Sequence, residues 1–172
     1  FSSSSVAVSW LPQYHDMGLI GKLTSSAVGG AAAVVMSPLT FIQNPVTWLD
    51  SLSKFKGTHS AAPNFAYILC IKKVPDEALR RLDLSHVQLM MNAAEPIQAD
   101  VVAGFTQRLQ ATGFEAWMLM PGYGLAETAV YVACSHTQNA RALPTITSFD
   151  KQLLEEQLSA VEAGMHGSVE SI

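Results

Sequence analysis

Three short stretches of the chain carry side chains suited to chemistry on a charged, phosphorylated ligand. The first is Tyr123-Gly124-Leu125-Ala126-Glu127-Thr128, reached through the apolar run Ala116-Trp117-Met118-Leu119-Met120-Pro121 and left through Ala129-Val130-Tyr131-Val132-Ala133. Glycines at 122 and 124 let the backbone approach a ligand closely. The ring of Tyr123 can stack on a flat base, Glu127 offers the hard oxygen that Mg²⁺ prefers, and Thr128 adds a hydroxyl beside it. A strand emptying into such a turn suits a metal-bound polyphosphate. The competing reading is a plain strand-to-helix junction, with Glu127 near a positive helix end.

The second stretch is Asn92-Ala93-Ala94-Glu95-Pro96-Ile97, read as the end of one strand and the entry to a helix. In an open parallel sheet that places it at the carboxyl edge, where ligands bind. Ala93 and Ala94 leave room for a base to lie against backbone; equally, the stretch can be a tight bend with Glu95 as a solvated first-turn acid. The third is Tyr14-His15-Asp16-Met17-Gly18, which sets an imidazole just before a helix N-terminus, where burial and the dipole tune its charge. A catalytic His15–Asp16 pair is one option. Sequence neighbours rarely reach relay geometry, and Asp16 also suits the role of helix N-cap.

These stretches need elements to hold them. Short apolar runs alternate with amphipathic ones, the pattern of βα units: an α/β fold with a mainly parallel sheet flanked by helices. Strands are expected at 6–11, 31–36, 58–62, 87–92, 115–119 and 129–133. The first helix should start at Asp16 and stop at Gly29-Gly30. A second has Asn44 as cap and Pro45 in its first turn, burying Val46, Leu49, Leu52 and Phe55; a third is capped by Asn64, with Phe65, Ile68 and Leu69 inward and Lys72-Lys73 at its negative end. Pro75-Asp76-Glu77 opens a short helix through Leu82, and Val101, Val102, Phe105 and Leu109 mark a core-facing helix that ends at Thr112-Gly113. In the tail, 135–147 reads as polar and irregular. Asp150 then caps a last helix onto which Phe149 staples at Leu154, and 167–172 reads as a strand beginning.

Composition narrows the classes. A chain of 172 residues with a formal charge of −4 can bury a core but shows no basic patch for nucleic acid or anionic lipid. The apolar heart of the uncharged interval 23–49 is only Ala31 to Met36, too short to cross a bilayer. Cys70 and Cys134 lack metal-type spacing, as do the scattered histidines, and two isolated thiols fit a reducing, cytoplasmic setting. Gly18-Leu19-Ile20-Gly21-Lys22 is not a Walker loop, since Asp16 stands where its first glycine belongs; Glu127 stands where a dinucleotide fingerprint needs its third; and there is no Gly-x-Ser-x-Gly elbow.

The three stretches, together with Trp10-Leu11-Pro12-Gln13 ahead of the third and Ser60-Ala61-Ala62-Pro63-Asn64-Phe65-Ala66-Tyr67, resemble the adenylate-forming superfamily. They are most similar to its fatty acyl-AMP ligase branch, from about Val6 to Cys134. The resemblance implies a subdomain of the large N-terminal domain, with an α/β core over 1–134 and a polar loop and helix over 135–172 like the branch's insertion. It implies ATP, AMP and Mg²⁺ as ligands, a fatty acid as substrate, and an acyl carrier protein or polyketide synthase as acceptor. By that likeness Glu127 holds the metal and, with Thr128 and a positioning His15, serves the reaction. Ala93, Ala94, Glu95, Pro96, Gly122, Tyr123, Gly124 and Thr128 bind nucleotide. His15, Asp16, Met17 and Gly18 sit by the substrate carboxylate, and Ser60, Asn64 and Phe65 by the acyl tunnel.

At Ala93 the family usually has Gly, and the added methyl narrows that pocket. Phe1 to Ser5 reads as a cut edge, so the chain is expected to be a piece of a longer enzyme and nearly inactive alone. An acyl-CoA synthetase piece and a non-catalytic adenylate-binding module are the alternatives; a dehydrogenase would require NAD binding.

Overall fold

The computed structural model describes residues 1–134, 143–150 and 168–171. Six strands form one sheet in the order β2-β1-β3-β4-β5-β6. They are β1 (Val6–Ser9), β2 (Ala32–Val35), β3 (His59–Ala62), β4 (Leu89–Asn92), β5 (Leu119–Tyr123) and β6 (Ala133–Cys134). The first five pair in parallel; β6 runs antiparallel to β5 at the edge. Parallel neighbours require crossovers, and helices Val46–Lys54, Asn64–Lys73 and Ala99–Leu109 occupy the connections. The expected fold class stands: a mostly parallel sheet flanked by helices. A separate antiparallel pair, β7 (Thr147–Asp150) and β8 (Ser168–Ser171), lies beyond it in sequence.

The two faces of the sheet are filled differently, and the period of two decides which residue goes where. On one face Ser60, Met90 and Asn92 are fully buried under the helices. There a run of rings passes from Trp10 stacked on Phe41 at 4.1 Å, through Trp48 and Tyr67, to Phe105 and Phe114, with edge-on contacts of 4.9–5.8 Å along the later steps. Edge-to-face geometry is the arrangement aromatic quadrupoles favour. The polar tips of Trp48 and Tyr67 are satisfied inside it, while Trp10 Nε1 is buried without a partner among the described residues: Trp48 Nε1 donates to Ser60 Oγ at 2.9 Å, and Ser60 Oγ donates to the Val8 carbonyl at 2.7 Å. Tyr67 Oη donates to the Met91 carbonyl at 2.7 Å. Tyr67→Phe is expected to lower stability by about 1 kcal/mol, the net worth of one buried hydrogen bond, read as a shift in urea midpoint with unchanged slope.

Several expectations shift. The run 115–119 is not a strand: Ala116–Met118 is a 3₁₀ turn, and β5 begins at Leu119 and continues through Gly122 and Tyr123. Apolar content alone cannot separate a short strand from a buried turn. The run 129–133 gives only the two-residue β6, because Ala129 and Val130 adopt left-handed φ of 56° and 78°.

His15, not Asp16, is the N-cap of the first helix, which is a composite of Asp16–Gly18, a π-helical Leu19–Thr24 and Ser25–Gly29, closed at left-handed Gly30. Pro45 takes the cap position expected of Asn44. Phe55 and Phe65 are exposed; Ile68 and Leu69 pack partly buried against the core as expected, and the third helix also buries Ala66, Tyr67 and Cys70. Asn64 is its first residue, not its cap, and is buried. The helix from Asp76 ends at Leu79. A helix at Pro38–Gln43, capped by Ser37, has no counterpart in the reading of the sequence. Asp150 lies in β7; the expected helix after it, and Leu154, fall outside the described residues.

Candidate functional site

The other face of the sheet bears alternate residues His59 and Ala61 of β3 and Leu89 and Met91 of β4, with Ala93 just beyond, and these line a cavity of about 830 Å³. Its roof is the composite first helix, which turns Met17, Gly21, Lys22 and Ser25 toward the sheet. The π-helical segment widens that helix, and Ser25 Oγ donates to the Ile20 carbonyl at 2.7 Å across it. At the carboxyl edge of the sheet the mouth is formed by His15, Asp16, Ala94, Tyr123, Gly124 and Ala126. All three stretches singled out in the sequence therefore reach one cavity.

The turn after β5 is tightly made. A Cβ on Gly124 would lie 1.7 Å from the Val130 carbonyl oxygen, so only glycine permits that approach. Val130 N–H donates to the Leu125 carbonyl at 3.0 Å, and Val132 N–H to the Tyr123 carbonyl at 3.0 Å. A β-branched residue at positive φ is a genuine outlier, and such strain persists where the surroundings enforce it, often at functional sites. Tyr123 is 60% exposed. Glu127 and Thr128 lie exposed on the 3₁₀ turn Ala126–Thr128, beside the cavity lining and not in it. Thr128 Oγ1 donates to the Leu125 carbonyl at 3.0 Å. Glu127 makes no hydrogen bond or ion pair among the described residues.

At the opposite lip, His15 Nδ1 lies 2.6 Å from Asp16 Oδ1. Two bare lone pairs would repel at that distance, so Nδ1 carries the proton and donates to the carboxylate. The Met17 N–H is then held by Asp16 Oδ1 at 2.8 Å. Adjacent residues thus do share a hydrogen bond here, which fixes the ring through one nitrogen and leaves Nε2 free for a ligand. Gly18 is buried, and a Cβ on it would fall 2.1 Å from the Pro12 carbonyl oxygen; its place is close packing of the helix start.

The remaining residues named from sequence sit elsewhere. Ser60 and Asn64 face the aromatic side of the sheet, and Asn64 Oδ1 accepts from Asn92 Nδ2 at 3.0 Å. Phe65 packs edge-on against Trp10, while its backbone N–H donates to Glu95 Oε1. Glu95 and Pro96 are exposed outside the cavity lining, and a Cβ on Gly122 would meet the Met91 side chain, Sδ at 2.8 Å. Ala93 has an ordinary backbone, whereas Ala94 carries left-handed φ of 73°; the bend is made at the second alanine, and the methyl of the first enters the cavity wall.

The sequence reading missed Lys22. It is 5% exposed, and burial pulls its pKa down from 10.5 to about 8. A signal existed: Lys22 stands three residues before Ser25 on one helical face, immediately before a long uncharged interval. Burying the cation costs about 3 kcal/mol at neutral pH. Below about pH 8 the lysine is charged whether folded or unfolded, so the whole penalty is present. Between about pH 8 and 10.5 the folded protein sheds the proton first, the unfolded chain binds more protons, and stability rises with pH. Lys22→Met is therefore expected to stabilise by about 3 kcal/mol near pH 7, a gain vanishing toward pH 10.5, checked by urea unfolding at several pH values.

Among the described residues no three His, Cys, Asp or Glu side chains gather as a metal cage. Mg²⁺ can be held by as few as one or two protein carboxylates when phosphates and waters supply its other ligands, and Glu127 is an exposed carboxylate beside the cavity.

Residues 1–163 match the model of the family described as AMP-binding enzyme. The medium-chain-fatty-acid–[acyl-carrier-protein] ligase JamA of Moorena producens is 38% identical over 144 residues, 83% of this chain and 24% of that protein. The probable long-chain-fatty-acid–AMP ligase FadD30 of Mycobacterium tuberculosis is 39% identical over 150 residues, 87% of this chain and 25% of that protein. The chain thus spans about a quarter of the length of these relatives. Among solved structures, a fatty acid AMP ligase from Legionella pneumophila superposes with a TM-score of 0.91 at 34% identity, over 99% of this chain and 29% of that one. A fatty acyl-adenylate ligase from L. pneumophila in complex with acyl adenylate and pyrophosphate superposes at 0.90, with 34% identity, over 98% and 29%.

Proposed function

Because the chain belongs to the AMP-binding enzyme family, we propose that it is the substrate-gathering part of a fatty acyl-AMP ligase. In this reading the longer protein joins a fatty carboxylate to the α-phosphate of ATP and releases pyrophosphate. The observation that carries it is convergence: His15, Ala94, Tyr123 and the 124–126 turn line one mouth, and an apolar cavity leads inward from it.

The chemistry sets one anion against another, so positioning and charge neutralisation are what a protein must supply. Tyr123 stacks on the base while the Ala93–Ala94 bend bounds its edge. Glu127 would hold Mg²⁺, which when bound would offset charge on the phosphates. Thr128, already anchored to the Leu125 carbonyl, keeps its hydroxyl at the same turn. His15, its ring fixed by Nδ1 donating to Asp16, bounds the lip where the carboxylate enters and positions it by shape. A carboxylate oxygen attacks the α-phosphorus as the bond to the bridging oxygen breaks, and that electron pair leaves with pyrophosphate. Met17, Gly21, Ala61 and Met91 offer the acyl chain an apolar slot. Ser60, Asn64 and Phe65 support that slot from behind the sheet.

An acyl carrier protein is the acceptor this reading favours, since JamA is named for that acceptor. No helix among the described residues is long and apolar enough to cross a membrane, and a cytoplasmic setting is proposed with the ligase. The test is product analysis of the full-length protein with ATP, a medium-chain fatty acid and CoA. Acyl-adenylate and pyrophosphate are expected. A dominant acyl-CoA product would overturn the ligase branch, and no adenylate at all would overturn the enzyme. Residues 1–172 alone are expected to release pyrophosphate at a small fraction of the full-length rate.

A further inference from the structure

The inner end of the cavity is not built for a plain hydrocarbon. Measured along β4, it lies four residue steps from Ala93, about 13 Å at about 3.3 Å per residue. At that depth stand Lys22 from the helix, His59 from β3 and Leu89 from β4, the last two paired in register. The Lys22 Nζ sits 5.6 Å from the Phe1 ring, which lies 4.8 Å from the His59 ring. Lys22 Nζ makes no hydrogen bond or ion pair among the described residues, and none of them brings a carboxylate to that end of the cavity. His59 does not compensate: its Nδ1 is engaged with Thr58 Oγ1 at 2.8 Å, and burial, with the Lys22 charge added, lowers its pKa to about 4. Ser25 and Gln88 add hydrogen-bonding groups to the same wall.

An unpaired buried cation is costly unless something pairs with it. We propose that Lys22 is a specificity-determining residue that receives an anionic group at the far end of the acyl substrate. The ligand class is a medium-length α,ω-dicarboxylic acid, one carboxylate at the mouth and the other on Lys22. This rests on the proposed ligase reading and adds the identity of the substrate to it. Closure is electrostatic: the second carboxylate supplies a counter-charge to Lys22 beyond the apolar stretch formed by Met17, Ala61 and Met91. A charge-assisted hydrogen bond in such surroundings is among the stronger polar contacts available. A simple fatty acid leaves Lys22 unpaired and forfeits it.

The experiment compares decanedioate with decanoate in the full-length protein, by ATP-dependent pyrophosphate release and by thermal shift with each acid in the absence of ATP. Wild type is expected to favour the diacid at least about tenfold in kcat/KM and to be stabilised by it alone. Lys22→Met should invert that preference and abolish the diacid's thermal shift, while Lys22→Arg should keep part of both. Equal or better use of decanoate by wild type, with a ratio unmoved by Lys22→Met, would overturn the inference and leave the ligase reading intact. Failure to activate either acid, with no binding of the diacid, would overturn both. Because Lys22→Met removes a buried charge, its folding is not expected to fail, and its own urea midpoint confirms that.

Discussion

Glu127→Gln in the full-length protein is expected to lower pyrophosphate release by about 10²–10³-fold, the usual cost of deleting one preorganised charge-stabilising group, while leaving the fold untouched. The side chain is exposed and free of intramolecular polar contacts among the described residues, so its stability contribution should lie within about 0.5 kcal/mol. The two readouts separate a ligand-holding role from a packing role. The substitution keeps size and polarity but removes the charge through which Glu127 is proposed to hold Mg²⁺, so on that reading the Mg²⁺ concentration for half-maximal rate should also rise. Retained turnover with an unaltered Mg²⁺ dependence would remove Glu127 from the chemistry and favour a module that binds adenylate without using it.

Gly124→Ala should be the most damaging of the small substitutions. Its methyl would occupy the space of the Val130 carbonyl, 1.7 Å away, and neither partner is a flexible side-chain end. Relief requires the 124–131 turn to open, breaking the Val130–Leu125 and Val132–Tyr123 backbone bonds that hold the turn bearing Glu127. A cost of about 3 kcal/mol, the upper end of ordinary overpacking, is expected, with near-complete loss of pyrophosphate release. Protease cleavage within the turn would report the opening before global unfolding does. Gly122→Ala is the internal comparison, since its methyl meets only the movable Met91 thioether and should cost about 1 kcal/mol. If the two variants behaved alike, the close backbone approach at 124 would not be what shapes the turn.

Much of the architecture was legible because it depends on local pattern. The alternation of apolar runs with amphipathic stretches gave a parallel sheet, since strands buried on both faces and their crossover helices write different periods into the chain. Val101, Val102, Phe105 and Leu109 are buried as their spacing required. Boundaries were less legible wherever the deciding partner is remote. The third helix turned Phe65 out and Tyr67 in because Tyr67 finds the Met91 carbonyl and the rings of Trp48 and Phe105, none of which is near in sequence. The shift of β5 to 119–123 has the same origin, in a register set by β4 and closed by β6.

The sequence by itself determined the class of fold, the family likeness and the three loops worth attention, because glycine, carboxylate and aromatic types at a strand end are chemical facts of short range. Only the tertiary structure decided that those loops share a mouth, that Ser60 and Asn64 face away from it, and that Lys22 is buried at its inner end. The physical reason is that a strand shows alternate residues to opposite faces, and a helix one residue in three or four to any neighbour. Which face becomes a dry aromatic core and which a ligand cavity is then set by helices packed from far along the chain.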